Sequence, residues 1–151
     1  MAVIEFSRNI LGLKDANSTE MDENTPHPVI ALMENQKNIT KKGGTMRLGS
    51  WECKIESNSK VSEIYKSEII SERHRHRWEL NDNYRDELNK KGLKSCGTNP
   101  ETGLVEIIEL SSNDWFIGVQ FHPEYKSTVE CPHPLFVSFV KACLNYKKSK
   151  N

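Results

Sequence analysis

No stretch of this 151-residue chain approaches the roughly 20 consecutive apolar residues that a membrane-spanning helix requires. Net charge is absent as well. The 21 lysines and arginines balance 21 aspartates and glutamates, which argues against binding nucleic acid or a membrane surface through bulk charge. The four cysteines, Cys53, Cys96, Cys131 and Cys143, form no Cys-x-x-Cys pair, so the sequence reads as a cytosolic chain with reduced thiols. Glu5 and Arg8 interrupt the apolar stretch at the start, which argues against a secretory signal. The glycines of Gly43 to Gly49 lack the Gly-Lys-Ser/Thr ending of a phosphate loop. Internal repeats and low-complexity tracts are missing too. What is there is one domain's worth of chain, 36% hydrophobic and 28% charged, able to bury about 70% of its unfolded surface.

Along the chain, Ala2 to Leu13 reads as a helix with Val3, Phe6 and Ile10 on one face and Gly12 at its C-terminal cap. It starts with no N-cap and no preceding strand, so a buried partner is expected before it. Val29 to Met33 reads as a short buried strand, Glu34 to Gly44 as a charged loop, and Thr45 to Ile55 as an alternating strand. Lys60 to Tyr65 makes a short helix, Ile69 to Trp78 is extended, and Asn81 to Lys91 is a helix ended by Gly92. Leu93 to Cys96 and Leu104 to Glu109 read as strands around a turn at Asn99-Pro100. A final amphipathic helix runs from Leu135 to about Tyr146, with a frayed basic tail. Strands interleaved with helices indicate an α/β architecture, and the spacing of the later strands makes part of the sheet antiparallel.

The strongest chemical signal is Gly118 to Glu124. The apolar run Trp115 to Val119 reads as a buried strand that delivers His122 at its end, with Glu124 two residues on. That carboxylate can accept Nδ1–H, set the tautomer and stabilise the imidazolium, leaving Nε2 to take a proton from a Ser or Cys nucleophile. No such nucleophile is evident in the chain. The plain alternative is a surface loop.

Glu72 to Glu79 is the second unusual stretch. On a strand, His74, His76 and Trp78 share one face, and Arg73, Arg75 and Arg77 the other. His74 and His76 could begin a metal site, but spacing offers no further ligand, and catalytic zinc takes three protein ligands. Three arginines could meet nucleic acid, which the neutral chain disfavours. One arginine could hold a small carboxylate through its bidentate fork. The remaining reading is a strand salt-bridged by Glu72 and Glu79. Asn17 to Glu20 reads as a turn, or as a place where Glu20 accepts hydrogen bonds from a substrate ammonium.

Taken together and in order, Asn17 to Glu20, Gly43 to Gly49, Glu72 to Glu79, Gly103 to Ile107 and Gln120 to Glu124 resemble the C-terminal glutamine amidotransferase domain of CTP synthase. The resemblance covers Ala2 to about Tyr146 and leaves 147–151 as a basic tail. It implies a three-layer α/β sandwich with a mixed sheet. It also implies hydrolysis of L-glutamine by a cysteine thiolate, with ammonia passing to a separate synthetase domain that aminates ATP-activated UTP. In that scheme His122 is the base, Glu124 orients it, and Glu20 and Arg77 bind glutamine. The domain itself needs no metal or cofactor; ATP and Mg belong to the full-length enzyme, a homo-oligomer. The family's nucleophile stands in Gly-x-Cys-Leu-Gly-Met-Gln, immediately before the helix that here begins at Ala2. The expectation is therefore a partial domain without its nucleophile elbow, N-terminal strands or synthetase domain, and inactive alone. A second reading is a degenerate amidotransferase-like module that binds a partner without catalysis.

Overall fold

A computed structural model describes residues 1–32 and 46–150. Its strands form two sheets. In the smaller, β1 (Asn17–Ser18) runs parallel to β2 (Pro28–Leu32), which pairs antiparallel with β5 (Trp78–Leu80). The larger has the order β4-β3-β6-β7-β8 and is antiparallel throughout. It comprises β3 (Arg47–Ile55), β4 (Ile69–His76), β6 (Leu93–Thr98), β7 (Val105–Leu110) and β8 (Ile117–Val119). The expected mixed pairing is thus confined to the small sheet. Arg77, between β4 and β5, is where the chain leaves one sheet for the other.

β7 shows why the larger sheet needs cover on both faces. Val105 through Glu109 are all buried, the pattern of a strand enclosed on two sides. Its neighbours Ile107 and Ile108 enter different cores, as the two-residue side-chain period demands. Ile108 joins Val3, Ile4 and Phe6 of helix α1 (Ala2–Asn9) and Leu88 of α3 (Arg85–Lys90). Ile107 joins Val61 of α2 (Lys60–Tyr65) and Leu135 of α4 (Pro134–Ser149). Helices on both sides of a sheet give the three-layer α/β arrangement.

Local chemistry sets the helix ends. The Ser59 hydroxyl caps α2 by accepting from Ser62 N–H at 3.0 Å. Glu109 reaches across from β7, where its carboxylate accepts Lys60 N–H at 3.1 Å and Val61 N–H at 2.7 Å. Pro134 opens α4 at the position where its missing N–H costs nothing, and His133 Nδ1 accepts from Leu135 N–H. Asn99 Oδ1 accepts from Glu101 N–H, Thr102 N–H and the Thr102 hydroxyl, which builds the expected turn between β6 and β7.

Several boundaries differ from those expected. α1 stops at Asn9, because the backbone turns ahead of Gly12, which sits at φ +71. The helix expected over Asn81 to Lys91 is a 3₁₀ turn, Asp82–Tyr84, followed by α3, since Asn81 caps the turn with its side chain. α4 continues through Lys147 and Lys148 to Ser149, where those cations suit the C-terminal end of the helix dipole. The buried strand expected over Trp115 to Val119 is the three-residue, half-buried β8, paired among the described residues with β7 alone. Trp115 instead turns to α4, donating Nε1–H to the Ser138 hydroxyl at 2.9 Å and packing on Phe139. The loop expected over Glu34 to Gly44, with Met33 and Thr45, lies outside the described residues. No helix among the described residues is long and apolar enough to cross a membrane.

Gly97 of β6 is a sharp packing constraint. A Cβ there would sit 2.7 Å from Ile107 Cγ1 and 2.8 Å from Cys53 Sγ, both buried. Gly97→Ala is expected to cost about 1–3 kcal/mol through overpacking, measured by urea unfolding. A neutral result would show that this face of β7 can shift.

Candidate active site

The chain leaves β8 with three consecutive side chains sent in three directions. Gln120 lines a cavity, and its N–H continues the ladder to Glu106 O at 2.9 Å. Phe121 is buried in the α2/α4 core, edge-on to His74. His122 emerges half-exposed, and its backbone N–H donates to Arg73 O on β4 at 2.8 Å. The loop is thereby stitched both to β7 and to the edge strand β4. Pro123 then starts a 3₁₀ turn through Lys126, which places Glu124 beside the imidazole.

His122 Nδ1 and Glu124 Oε1 lie 2.7 Å apart. With Nδ1–H donated to the carboxylate, Nε2 carries the lone pair and is the basic atom. Tyr125 stacks on the ring at 5.1 Å between centroids, limiting its rotation. A hydrogen bond from its own backbone N–H and then that from His122 hold the Glu124 carboxyl below its ordinary range. The pair can accept and return a proton at a reacting atom that approaches Nε2.

The cavity that Gln120 lines has a volume of about 510 Å³. Glu20 and Trp78 line it too, as do Glu106 and the first residues of α1. Glu20 is exposed, on the turn that follows β1. Arg77 is half-buried next to Trp78, and its Nε is buried with no hydrogen-bond partner among the described residues. The structure thus brings Glu20, Trp78 and Gln120 to one cavity and leaves His122 and Arg77 adjacent to it in sequence, without lining it. A larger groove of about 770 Å³, between residues 112–115 and α4, holds none of these residues.

The alternation expected along β4 is present. Glu72, His74 and His76 face inward, while Arg73 and Arg75 are exposed. The expected partnership of Glu72 and Glu79 with the strand's own arginines is not what forms. Glu72 accepts from the Tyr65 hydroxyl and from His133 Nε2, each at 3.0 Å, tying β4 to the cap of α4. Glu79 meets Arg47 at 3.4 Å, and Arg47 also donates to Glu106 at 2.6 Å. Spacing revealed neither Arg47 nor Glu106 as a partner of the histidines, because both come from other strands. The signal for them was only that two charged residues stand inside apolar strand patterns.

This cluster is buried, and its titration follows from that. Burial, then repulsion from Arg47, pushes the His74 pKa down to about 3 and that of His76 down to about 4. Burial lifts Glu79 to about 7 against the pull of Arg47, and raises Glu106 likewise. The histidine contributions to stability are complete above pH 6.5, where the unfolded rings are also neutral, and are lost as pH falls through 4 and 3. The Glu79 contribution runs the other way, present below about 4.5 and lost as pH rises through about 7. The terms oppose each other between pH 4.5 and 6.5, and below that only the histidines act. Stability is expected to fall steeply from pH 4.5 downward, by up to about 1.4 kcal/mol per pH unit for each ring. Urea unfolding across that range should show a shallower fall for His76→Gln; an unchanged slope would assign the acid lability elsewhere.

Comparison with known proteins adds a relationship to this geometry. The family model for class-I glutamine amidotransferases matches residues 1–142. A CTP synthase of Flavobacterium johnsoniae is 66% identical over 98% of the chain, and one of Christiangramia forsetii is 62% identical over all of it. The chain spans 28% of the length of each. The glutaminase domain of Trypanosoma brucei CTPS, solved with bound acivicin, superposes with a TM-score of 0.87 at 40% identity, over 95% of this chain and 56% of that one. The chain belongs to the class-I glutamine amidotransferase family and is similar to the glutaminase region of CTP synthases.

Proposed function

We propose that residues 2–146 supply the base and the substrate clamp of a CTP synthase glutaminase site, and that its thiolate comes from sequence outside this chain. The observation that carries this reading is the 2.7 Å contact of His122 Nδ1 with Glu124 Oε1 on a half-exposed ring, at the end of β8. None of the four cysteines suits that base. Cys53 and Cys96 are buried, and burial pushes the Cys53 thiol up to about 12 and raises that of Cys96 as well. Cys131 and Cys143 are exposed, and neither is bonded to His122. A thiol held protonated is no nucleophile.

In the complete site, His122 keeps the nucleophilic cysteine as thiolate, which attacks the glutamine carboxamide carbon. The imidazolium returns its proton to nitrogen, ammonia leaves, and a thioester remains. His122 then takes a proton from water as it attacks that thioester, releasing glutamate and the cysteine. Glu20 accepts from the substrate ammonium, and the Arg77 fork pairs with its carboxylate. Ammonia passes to a synthetase domain that uses ATP and Mg to convert UTP to CTP.

The test joins this chain to the preceding part of a CTP synthase glutaminase domain. The chain alone is expected to release no glutamate from glutamine, and the joined domain to release it. Arg77→Ala and Glu20→Ala should raise KM by about 10- to 100-fold with little change in kcat, since each removes a charged hydrogen bond to an unreacting part of glutamine. Arg77→Lys should recover only part of that loss, because an ammonium lacks the bidentate fork. Unchanged KM in both alanine variants would remove the clamp assignment. An inactive joined domain would favour the non-catalytic module.

A further inference from the structure

The pair of buried His74 and partly buried His76 acquires a third donor that lies thirty residues further along the chain. His74 Nδ1 and His76 Nε2 are 2.8 Å apart, and Glu106 Oε2 is 3.4 Å from His74 Nδ1. One donor atom from each of the three lies within 4.8 Å of the other two. We propose that His74, His76 and Glu106 form a zinc site, with the fourth ligand position open.

Four observations converge. Tetrahedral zinc with ligand bonds near 2.0–2.1 Å sets its donors roughly 3.3 Å apart. The carboxylate already stands at that separation from His74, the two rings need to part by roughly half an ångström, and His76 and Glu106, whose donors lie within 4.8 Å, would close to complete the triangle. Glu106 is 1% exposed, and its Oε2 has no hydrogen-bond partner among the described residues. Arg47 occupies only the other oxygen, Oε1, and so orients the carboxylate without filling the ligand position. Behind His76, Glu79 Oε1 lies 3.4 Å from Nδ1, which has no hydrogen-bond partner among the described residues, so a small approach gives the carboxylate–histidine arrangement that makes the opposite nitrogen a better ligand. Finally, Glu79 and Glu106 face one guanidinium, and a divalent cation between neutral imidazoles compensates the excess negative charge. Two imidazoles and a carboxylate suit zinc over calcium or magnesium, which take oxygen ligands.

The experiment titrates Co²⁺, then Zn²⁺ as competitor, into the purified full chain. The expected result is one equivalent of cobalt with the intense visible absorption of a tetrahedral site, displaced by zinc. His76→Gln and Glu106→Gln should each weaken binding by more than about 100-fold, given that outer partners alone cost roughly 10–100-fold. Glu79→Gln should weaken it by about 10-fold, and His122→Ala should leave it unchanged. A pale octahedral spectrum, no saturable binding, or loss in His122→Ala with retention in His76→Gln would overturn the proposal. Should circular dichroism show the ligand variants unfolded, zinc-edge X-ray absorption of the loaded wild-type chain decides. Two imidazoles and one carboxylate uphold the site, and any other protein ligand set removes it.

Discussion

In the joined glutaminase domain, His122→Ala is expected to lower kcat for glutamine hydrolysis by about 10⁴-fold or more. The imidazole acts twice in the scheme, maintaining the thiolate and then activating water on the thioester, so its loss slows both covalent steps. Binding should survive, since in the scheme the imidazole acts at the reacting atoms while Glu20 and Arg77 hold the substrate's ammonium and carboxylate. Glu124→Gln is expected to cost less. The amide can still accept Nδ1–H through its oxygen, and the lost charge belongs to an exposed carboxylate that solvent already screens. A stopped assay of glutamate release measures both, with KM read separately from kcat. If His122→Ala retained a tenth or more of the activity, the base would have to be another residue, and the 2.7 Å contact with Glu124 would be structural.

The second large effect concerns stability. Arg47→Met is expected to destabilise the chain by about 3–5 kcal/mol near neutral pH, because it removes one partner of a buried ion cluster and strands the others. Arg47 is 6% exposed and spans Glu79 and Glu106, which are 2% and 1% exposed. Methionine keeps most of the volume, so the loss reports charge rather than a cavity. Without the guanidinium both carboxylates must take up protons to stay buried, and the penalty should shrink as pH is lowered toward 5. A second substitution at the partner supplies an internal check. Glu106→Gln in the Arg47→Met background should recover part of the loss, since a neutral amide is cheaper to bury than an unpaired carboxylate. Urea unfolding of the four species closes the cycle. A single-variant loss below about 1 kcal/mol would mean that water reaches the cluster.

Much of the local architecture was legible in the sequence, because it rests on short-range rules. Alternation put His74 and His76 on one face of the strand and Arg73 and Arg75 on the other, as observed, while the structure decided that the histidine face is the inner one. Leu104 to Glu109 read as a strand, which β7 matches to within a residue, and Asn99 announced the turn before it; that the strand is covered on both sides was not legible, because Glu106 and Glu109 interrupt its apolar run. The His122–Glu124 pair was legible as well, since both partners lie within one tight turn and their contact needs no distant element. The order of motifs also carried the family. What the sequence could not decide was anything that depends on which strands become neighbours. The short, half-exposed β8 follows from Trp115 choosing α4 over the ladder. The gathering of Arg47, His74, His76, Glu79 and Glu106 follows from β3, β4, β5 and β7 arriving at one place in two sheets. Each residue alone looks like a surface charge or a stray histidine. Only tertiary packing removes the water around them, and it is that loss of solvent that turns five unremarkable side chains into a coupled buried site.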